Sequence, residues 1–173
     1  VANGKVLLNT PFKKIYVQAA AGDAGGAIGA ALMTWHKIGG EKSKQRILAH
    51  NHAYWGPSFT DDYIGNLLKS EEARISKENC VVTNFSKISE LIKITAAEIT
   101  KGNVIGWFQG RMEWGPRALG NRSIICDPRR SDMKDILNLK IKRRESFRPF
   151  APSILSEEVS EWFEQSGDVP FMM

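Results

Sequence analysis

SKISELIKITAAEITKGNVIGWFQGR, residues 86–111, changes its apolar period part-way along. Ile88, Leu91, Ile92, Ala96 and Ile99 recur at three- and four-residue spacing, which predicts a helix with Ser86 as its cap and Gly102 as its stop. Val104-Ile105-Gly106-Trp107-Phe108-Gln109 follows as a short run of β-branched and aromatic residues, which predicts a mostly buried strand. Working outward, a second strand is expected at 123–127 and a helix from about Ser131 to Ile141. On the other side, Thr60 or Ser58 is placed to cap a helix reaching about Ser70. Nearer the start, Ile15-Tyr16-Val17-Gln18 reads as a strand and Ala24 to His36 as a helix. Helices alternating with short apolar strands imply an α/β or α+β architecture.

Composition bounds the class. Of the 173 residues, 42% are hydrophobic and 25% charged, as in soluble globular proteins. No apolar run approaches the roughly 18 residues of a membrane span, so a cytoplasmic location is expected. Cys80 and Cys126 have neither CxxC nor metal-type spacing and read as buried free thiols of a reducing compartment. Residues 37–60 are polar, with Gly39-Gly40 and the turn Gly56-Pro57, and read as a linker or domain boundary. The chain opens at Val1 in a phrase that reads as mid-domain, so a fragment is expected.

The net charge of +5 is concentrated in one place. Between Arg111 and Arg148 stand eleven Lys and Arg against five acids, whereas the rest of the chain has thirteen bases and fourteen acids. Most of these cations lie in two phrases, GRMEWGPRALGNRS (110–123) and KIKRRESFRPFAP (140–152). Cations so dense repel one another and call for an anion, acidic partners or water. Glycines and prolines divide them, which points to loop-set positions and a phosphate site. Gly115-Pro116 predicts a turn and a helical start at Arg117, whose free N–H groups and guanidinium fork suit phosphate oxygens. On a helix, Lys140 and Arg144 share a face and Lys142 projects elsewhere. Arg148 precedes Pro149 and is pushed to extended backbone, so Lys142 and Arg148 can reach one pocket from adjoining elements. Such a cluster suits phosphoryl or adenylyl transfer with Mg²⁺. The bland alternative is a solvated basic face with Glu113 and Glu145 as ion-pair partners.

Other candidates are weaker. Gly25 and Gly29 lie four apart on one helix face, which signals close approach of a backbone or ligand, or tight packing alone; the pattern is neither GxGxxG nor a Walker loop. Asp23, a lone acid among small residues, suits a helix cap or a metal ligand. His50-Asn51-His52 reads as exposed or capping, and His36 as a partner of its helix dipole. The five tryptophans and eight phenylalanines read as core.

Three runs together, TPFKKIYVQAAAGDAGGAIGAAL (10–32), GWFQGRMEWGPRALGNRSIICDPR (106–129) and LNLKIKRRESFRPFAPSIL (137–155), closely resemble the O-carbamoyltransferases of the nodulation-factor and antibiotic-tailoring type. The resemblance is weakest over 37–100. It implies the last strand and helix of an actin-like domain (1–45), a linker (46–59) and the first part of a YrdC-like domain (60–173). It further implies that carbamoyl phosphate and ATP, with Mg²⁺, form carbamoyladenylate, whose carbamoyl group passes to the hydroxyl of a sugar or natural product. Arg117, Lys142 and Arg148 resemble the residues that hold ATP and carbamoyl phosphate and serve catalysis. Arg111, Asn121, Arg122 and Arg144 belong to the same motifs. Asp23 resembles the carboxylate ligand of the family's metal, iron or another divalent ion, whose histidine ligands would lie upstream. Trp114 stands where Phe is commoner, and Ala19 where Pro is commoner. The chain alone is expected to be inactive in transfer. A YrdC-like fold and basic clusters also admit an RNA-binding module. That alternative is disfavoured because the arginines sit at fixed loop positions and not along a stripe.

Overall fold

A computed structural model describes residues 2–40, 52–164 and 170–172. It contains α1 (Ala2–Asn9), α2 (Asp23–Ile38), α3 (Asp61–Ser70), α4 (Glu72–Lys77) and α5 (Ile88–Thr100), then strands β1 (Ile105–Phe108) and β2 (Arg122–Ile125). After these, α6 (Met133–Asp135) runs into a π-helix (Ile136–Lys142), and α7 spans Val159–Trp162. Helices with a small sheet match the mixed α/β class read from the sequence. The chain divides into two compact units. One comprises Val1–Gly56, Met112–Asn121 and Ala151–Met173; the other comprises Pro57–Arg111 and Arg122–Phe150.

In the second unit, Thr60 caps α3 through its Oγ1, which accepts from the Tyr63 N–H at 3.2 Å. Asp61 and Asp62 add favourable charge to the helix start. The helix expected from Ile88 is α5, but its cap position is Lys87 rather than Ser86, and no side chain caps it. Gly102 ends it in left-handed backbone (φ +87°), its N–H bonding the Ile99 carbonyl at 2.9 Å. The strand from Ile105 pairs antiparallel with β2, Ile105 opposite Ile125 and Phe108 opposite Arg122. It is half-covered rather than mostly buried: Phe108 is 50% exposed, because two strands have two open edges and one covered face at most. Met133 and Leu137 form the buried apolar centre of this unit among the described residues.

In the first unit, Ala19, Ala20 and Ala53 are buried. Residues 15–18 are irregular where a strand was expected; the described sheet has only β1 and β2, so this segment has no ladder to join. The helix expected at 24–36 is α2, beginning at Asp23 after Gly22. Gly25 is where a Cβ would strike the Ala20 carbonyl oxygen, so the close approach read from the sequence is that of the chain's own backbone. Gly29 faces nothing within 4 Å. Cys126 is half-buried, but Cys80 is exposed, against the expectation that both thiols are buried. Of the polar linker, 41–51, including His50, lies outside the described residues. His52 stacks on Tyr54 and accepts its N–H through Nδ1 at 3.2 Å.

Candidate active site

The first basic phrase forms a loop built around a buried carboxylate. Glu113 is 3% exposed, and its Oε1 accepts the N–H groups of Leu119 and Asn121, each at 2.7 Å. This overturns the helical start expected at Arg117: residues 114–117 bend without forming a helix. Gly115 (φ +117°) and Gly120 (φ +116°) break the regular backbone on either side, and the Leu119 and Asn121 N–H groups point to Glu113 rather than to a ligand. Glu113 is therefore a buried loop organiser, where the bland reading placed it on a solvated face. A Cβ at Gly115 would lie 3.0 Å from the Ala20 Cβ, so glycine is required there both by φ and by space. The Trp114 indole N–H donates to the Ala24 carbonyl at 2.8 Å, and the Trp114 amide donates to Ala53 at 2.6 Å. The same unit thus ties this loop to the Ala19–Gly25 segment. Arg117 is exposed on the loop, and Asn121 is half-buried at its end.

The second basic phrase, up to Phe150, lies in the other unit, with Arg122 opening β2 and Arg111 three residues past β1. The helix expected through Ile141 is present, but from Ile136 it is a π-helix, closed by the Arg143 N–H on the Asn138 carbonyl. Arg143 is left-handed (φ 48°, ψ 54°) and ends the helix. Lys140 and Arg144 therefore do not share a helical face, because Arg144 lies past the turn. What orders Arg144 is Asn138, fully buried at 0% exposure. Its Oδ1 accepts Arg144 Nε at 2.7 Å, and its Nδ2 donates to the carbonyls of Ser146 (3.2 Å) and Arg148 (2.9 Å). Its backbone carbonyl also accepts the Arg144 N–H at 2.9 Å. The Arg144 guanidinium lies 4.6 Å over the Phe150 ring. Arg143, Arg144, Leu139 and Glu145 line a depression of about 380 Å³ open to solvent. Lys142 and Arg148 are exposed beside it in sequence.

Arg148 pairs with Glu145 at 2.7 Å, and both side chains are about half-exposed. An exposed pair contributes about 0–1 kcal/mol, so Arg148 gives it up readily to a better anion. The Glu145 carboxyl is held below its ordinary value by its own backbone N–H and by Arg148. Nearby, Asp127 is 5% exposed, and its two oxygens accept Arg129 Nε, Nη2 and backbone N–H. These bonds hold its carboxyl down at about 2. The Cys126 thiol is pushed up, by burial first and then by the Asp127 charge.

Asp23 is the exposed first residue of α2 rather than its cap, and its charge favours the helix N-terminus. An iron site needs several donors, and among the described residues no group of three or more His, Cys, Asp or Glu is placed to hold a metal. Asp23 supplies one exposed carboxylate, a single donor toward such a site. Among the described residues, no helix is long and apolar enough to cross a membrane.

Two basic segments, one in each unit, are thus each organised by a buried polar side chain, Glu113 and Asn138. A family model described as Carbamoyltransferase C-terminus matches residues 96–173, and one described as Carbamoyltransferase N-terminus matches 1–32. The chain belongs to the carbamoyltransferase family. It is 48% identical to an uncharacterized protein of Synechocystis, with all of this chain and 27% of that protein aligned. It is 42% identical to the nodulation protein NolNO of Sinorhizobium fredii, over 98% of this chain and 24% of that one. A 3'-hydroxymethylcephem-O-carbamoyltransferase of Amycolatopsis lactamdurans is 43% identical over 42% of this chain and 14% of its own length. The chain thus spans about a quarter of the length of the first two relatives. Of the residues its carbamoyltransferase motifs single out, Arg117, Asn121 and Asp23 fall in one unit, and Arg111, Arg122, Lys142, Arg144 and Arg148 in the other. Sequence reading missed Asn138 and undervalued Glu113. The available signal for Asn138 was a lone amide between Leu137 and Leu139 in an apolar register.

Proposed function

We propose that this chain supplies phosphate-binding loops of an ATP-dependent O-carbamoyltransferase, in which carbamoyl phosphate and ATP form carbamoyladenylate. The carbamoyl group then passes to the hydroxyl of a sugar or natural-product acceptor, as the name of the cephem relative states for that protein. Residues 1–45 are read as the end of an actin-like domain, 46–59 as a linker and 60–173 as the first part of a YrdC-like domain. The observation that carries the reading is the anchored cationic loop: Asn138 ties down the backbone from Arg144 to Arg148, while Lys142 and Arg148 stay exposed. A preorganised cation loses little on meeting a phosphate and stabilises charge that grows as phosphorus bonds break. Arg117, Lys142 and Arg148 are assigned to ATP and carbamoyl phosphate; Arg111, Asn121, Arg122 and Arg144 support them. Mg²⁺ accompanies ATP as substrate. Glu113 supports the reading by fixing, through Oε1, the loop that carries Arg117.

Calorimetric titration with ATP and Mg²⁺ tests this. Wild type should bind, and Arg117→Ala and Lys142→Ala should each weaken binding at least ~10-fold, since a charge-assisted bond is worth about 1.5–3 kcal/mol. Binding unchanged by either substitution would sink the assignment. Preference for an RNA oligomer, falling steeply with salt, would favour a nucleic-acid module instead. Carbamoyl transfer by this chain alone is expected to be undetectable.

A further inference from the structure

We infer that Asn138 is a positioning residue for phosphate capture: it sets Arg144 and Arg148 in the geometry that receives the anion. The inference rests on the phosphate-loop reading above and adds the residue that makes the loop a preformed site. Asn138 is the largest fully buried side chain among the described residues, and it is polar. A buried carboxamide is costly unless its donors and acceptor are matched, and here they are. Oδ1 meets a donor, Arg144 Nε, while Nδ2 meets two acceptors, the Ser146 and Arg148 carbonyls. The reverse orientation of the amide would set donor against donor and acceptor against acceptor. One side chain thus binds the loop at three points along 144–148, and its backbone carbonyl adds the Arg143 and Arg144 amides.

Asn138 sits in the π-helix, where it and the adjacent Leu137 are both buried. The two arginines are held differently. Arg144 is gripped at Nε and stacked on Phe150, which orients its guanidinium plane. Arg148 is fixed by its carbonyl, and its side chain rests on an exposed Glu145 that an anion can displace. Asn138 touches no reacting atom in this scheme and acts through the two arginines.

Asn138→Asp and Asn138→Ala separate the parts. The Asp variant keeps an acceptor for Arg144 but turns the amide donor into a second acceptor facing two carbonyls. The Ala variant removes everything. Amide hydrogen exchange over 143–148 should quicken at least ~10-fold in both, with β1 and β2 unchanged. An unchanged loop overturns the proposal. For function, ATP and Mg²⁺ titrations in a mutant cycle with Arg144→Ala/Arg148→Ala should show that Asn138→Ala weakens binding ~10-fold in wild type and less than ~2-fold once both arginines are gone. Equal losses in both backgrounds mean a general stability role and overturn it. If wild type binds no nucleotide, the phosphate-loop reading fails and with it the role in capture, while the exchange result still decides whether Asn138 holds the loop.

Discussion

Glu113 and Asp127 are single acids whose burial decides what they do. Glu113 sends one oxygen to two backbone N–H groups, so its removal strands both donors in a covered site. Glu113→Ala should lower stability by roughly 3 kcal/mol in urea unfolding, as expected for two charge-assisted bonds. Glu145, which looked equivalent in the sequence, is exposed, and its loss should change stability by less than about 1 kcal/mol. Asp127 gives a pH signature. Its folded value near 2 lies below the ordinary 3.8, so its contribution is complete above the ordinary value and is lost as pH falls through the folded one. Carbon NMR should find this carboxyl titrating near 2, and Asp127→Asn should flatten the stability loss between pH of about 5 and about 2. A titration at the ordinary value would mean that the Arg129 fork does not persist in solution.

Elements meet at points where one atom decides the packing. Trp114 reaches the first turn of α2 through its indole N–H, a bond that phenylalanine at this position cannot make. Trp114→Phe should cost about 1 kcal/mol, the net worth of a neutral hydrogen bond, and should speed amide exchange in the first turn of α2. Unchanged exchange would mean that the contact does not restrain the helix. At the end of α5, Gly102 has φ +87°, and a Cβ there would fall on Arg130 Nη1, whose guanidinium forks onto Asp132. Gly102→Ala should destabilise by the roughly 1 kcal/mol of left-handed backbone, since the part-exposed Arg130 side chain can swing aside. The capping of α3 by Thr60 was legible because it needs only local spacing. The π-helix was not: the apolar spacing over 133–141 does not distinguish it from an α-helix.

Across the whole chain, large apolar side chains are exposed on many elements. Leu8 is 82% exposed, Val81 88%, Ile38 78% and Phe147 74%. Exposed apolar side chains of this size favour association. Sedimentation velocity should show this chain growing heavier with concentration, and dye that lights up on apolar surface should bind it. A single sharp monomer at every concentration would show that these faces are covered in solution. The distribution of charge tells the same story in reverse, since the excess of cations stays in one segment and leaves the rest near neutrality.

The amino-acid order by itself determined the helix periods of α2, α3 and α5, the strand after Gly102 and the two cationic phrases, because these depend on spacing and turn chemistry within a few residues. It also carried the family motifs. Only the tertiary structure decided that 15–18 is no strand, that Arg117 starts no helix and that Arg144 leaves its helix before it can face Lys140. The physical reason is common to all three. A strand needs a neighbouring ladder, and a backbone N–H goes to whichever acceptor the fold brings nearest. Here the acceptors are the buried oxygens of Glu113 and Asn138, six or more residues away in sequence from the groups they order.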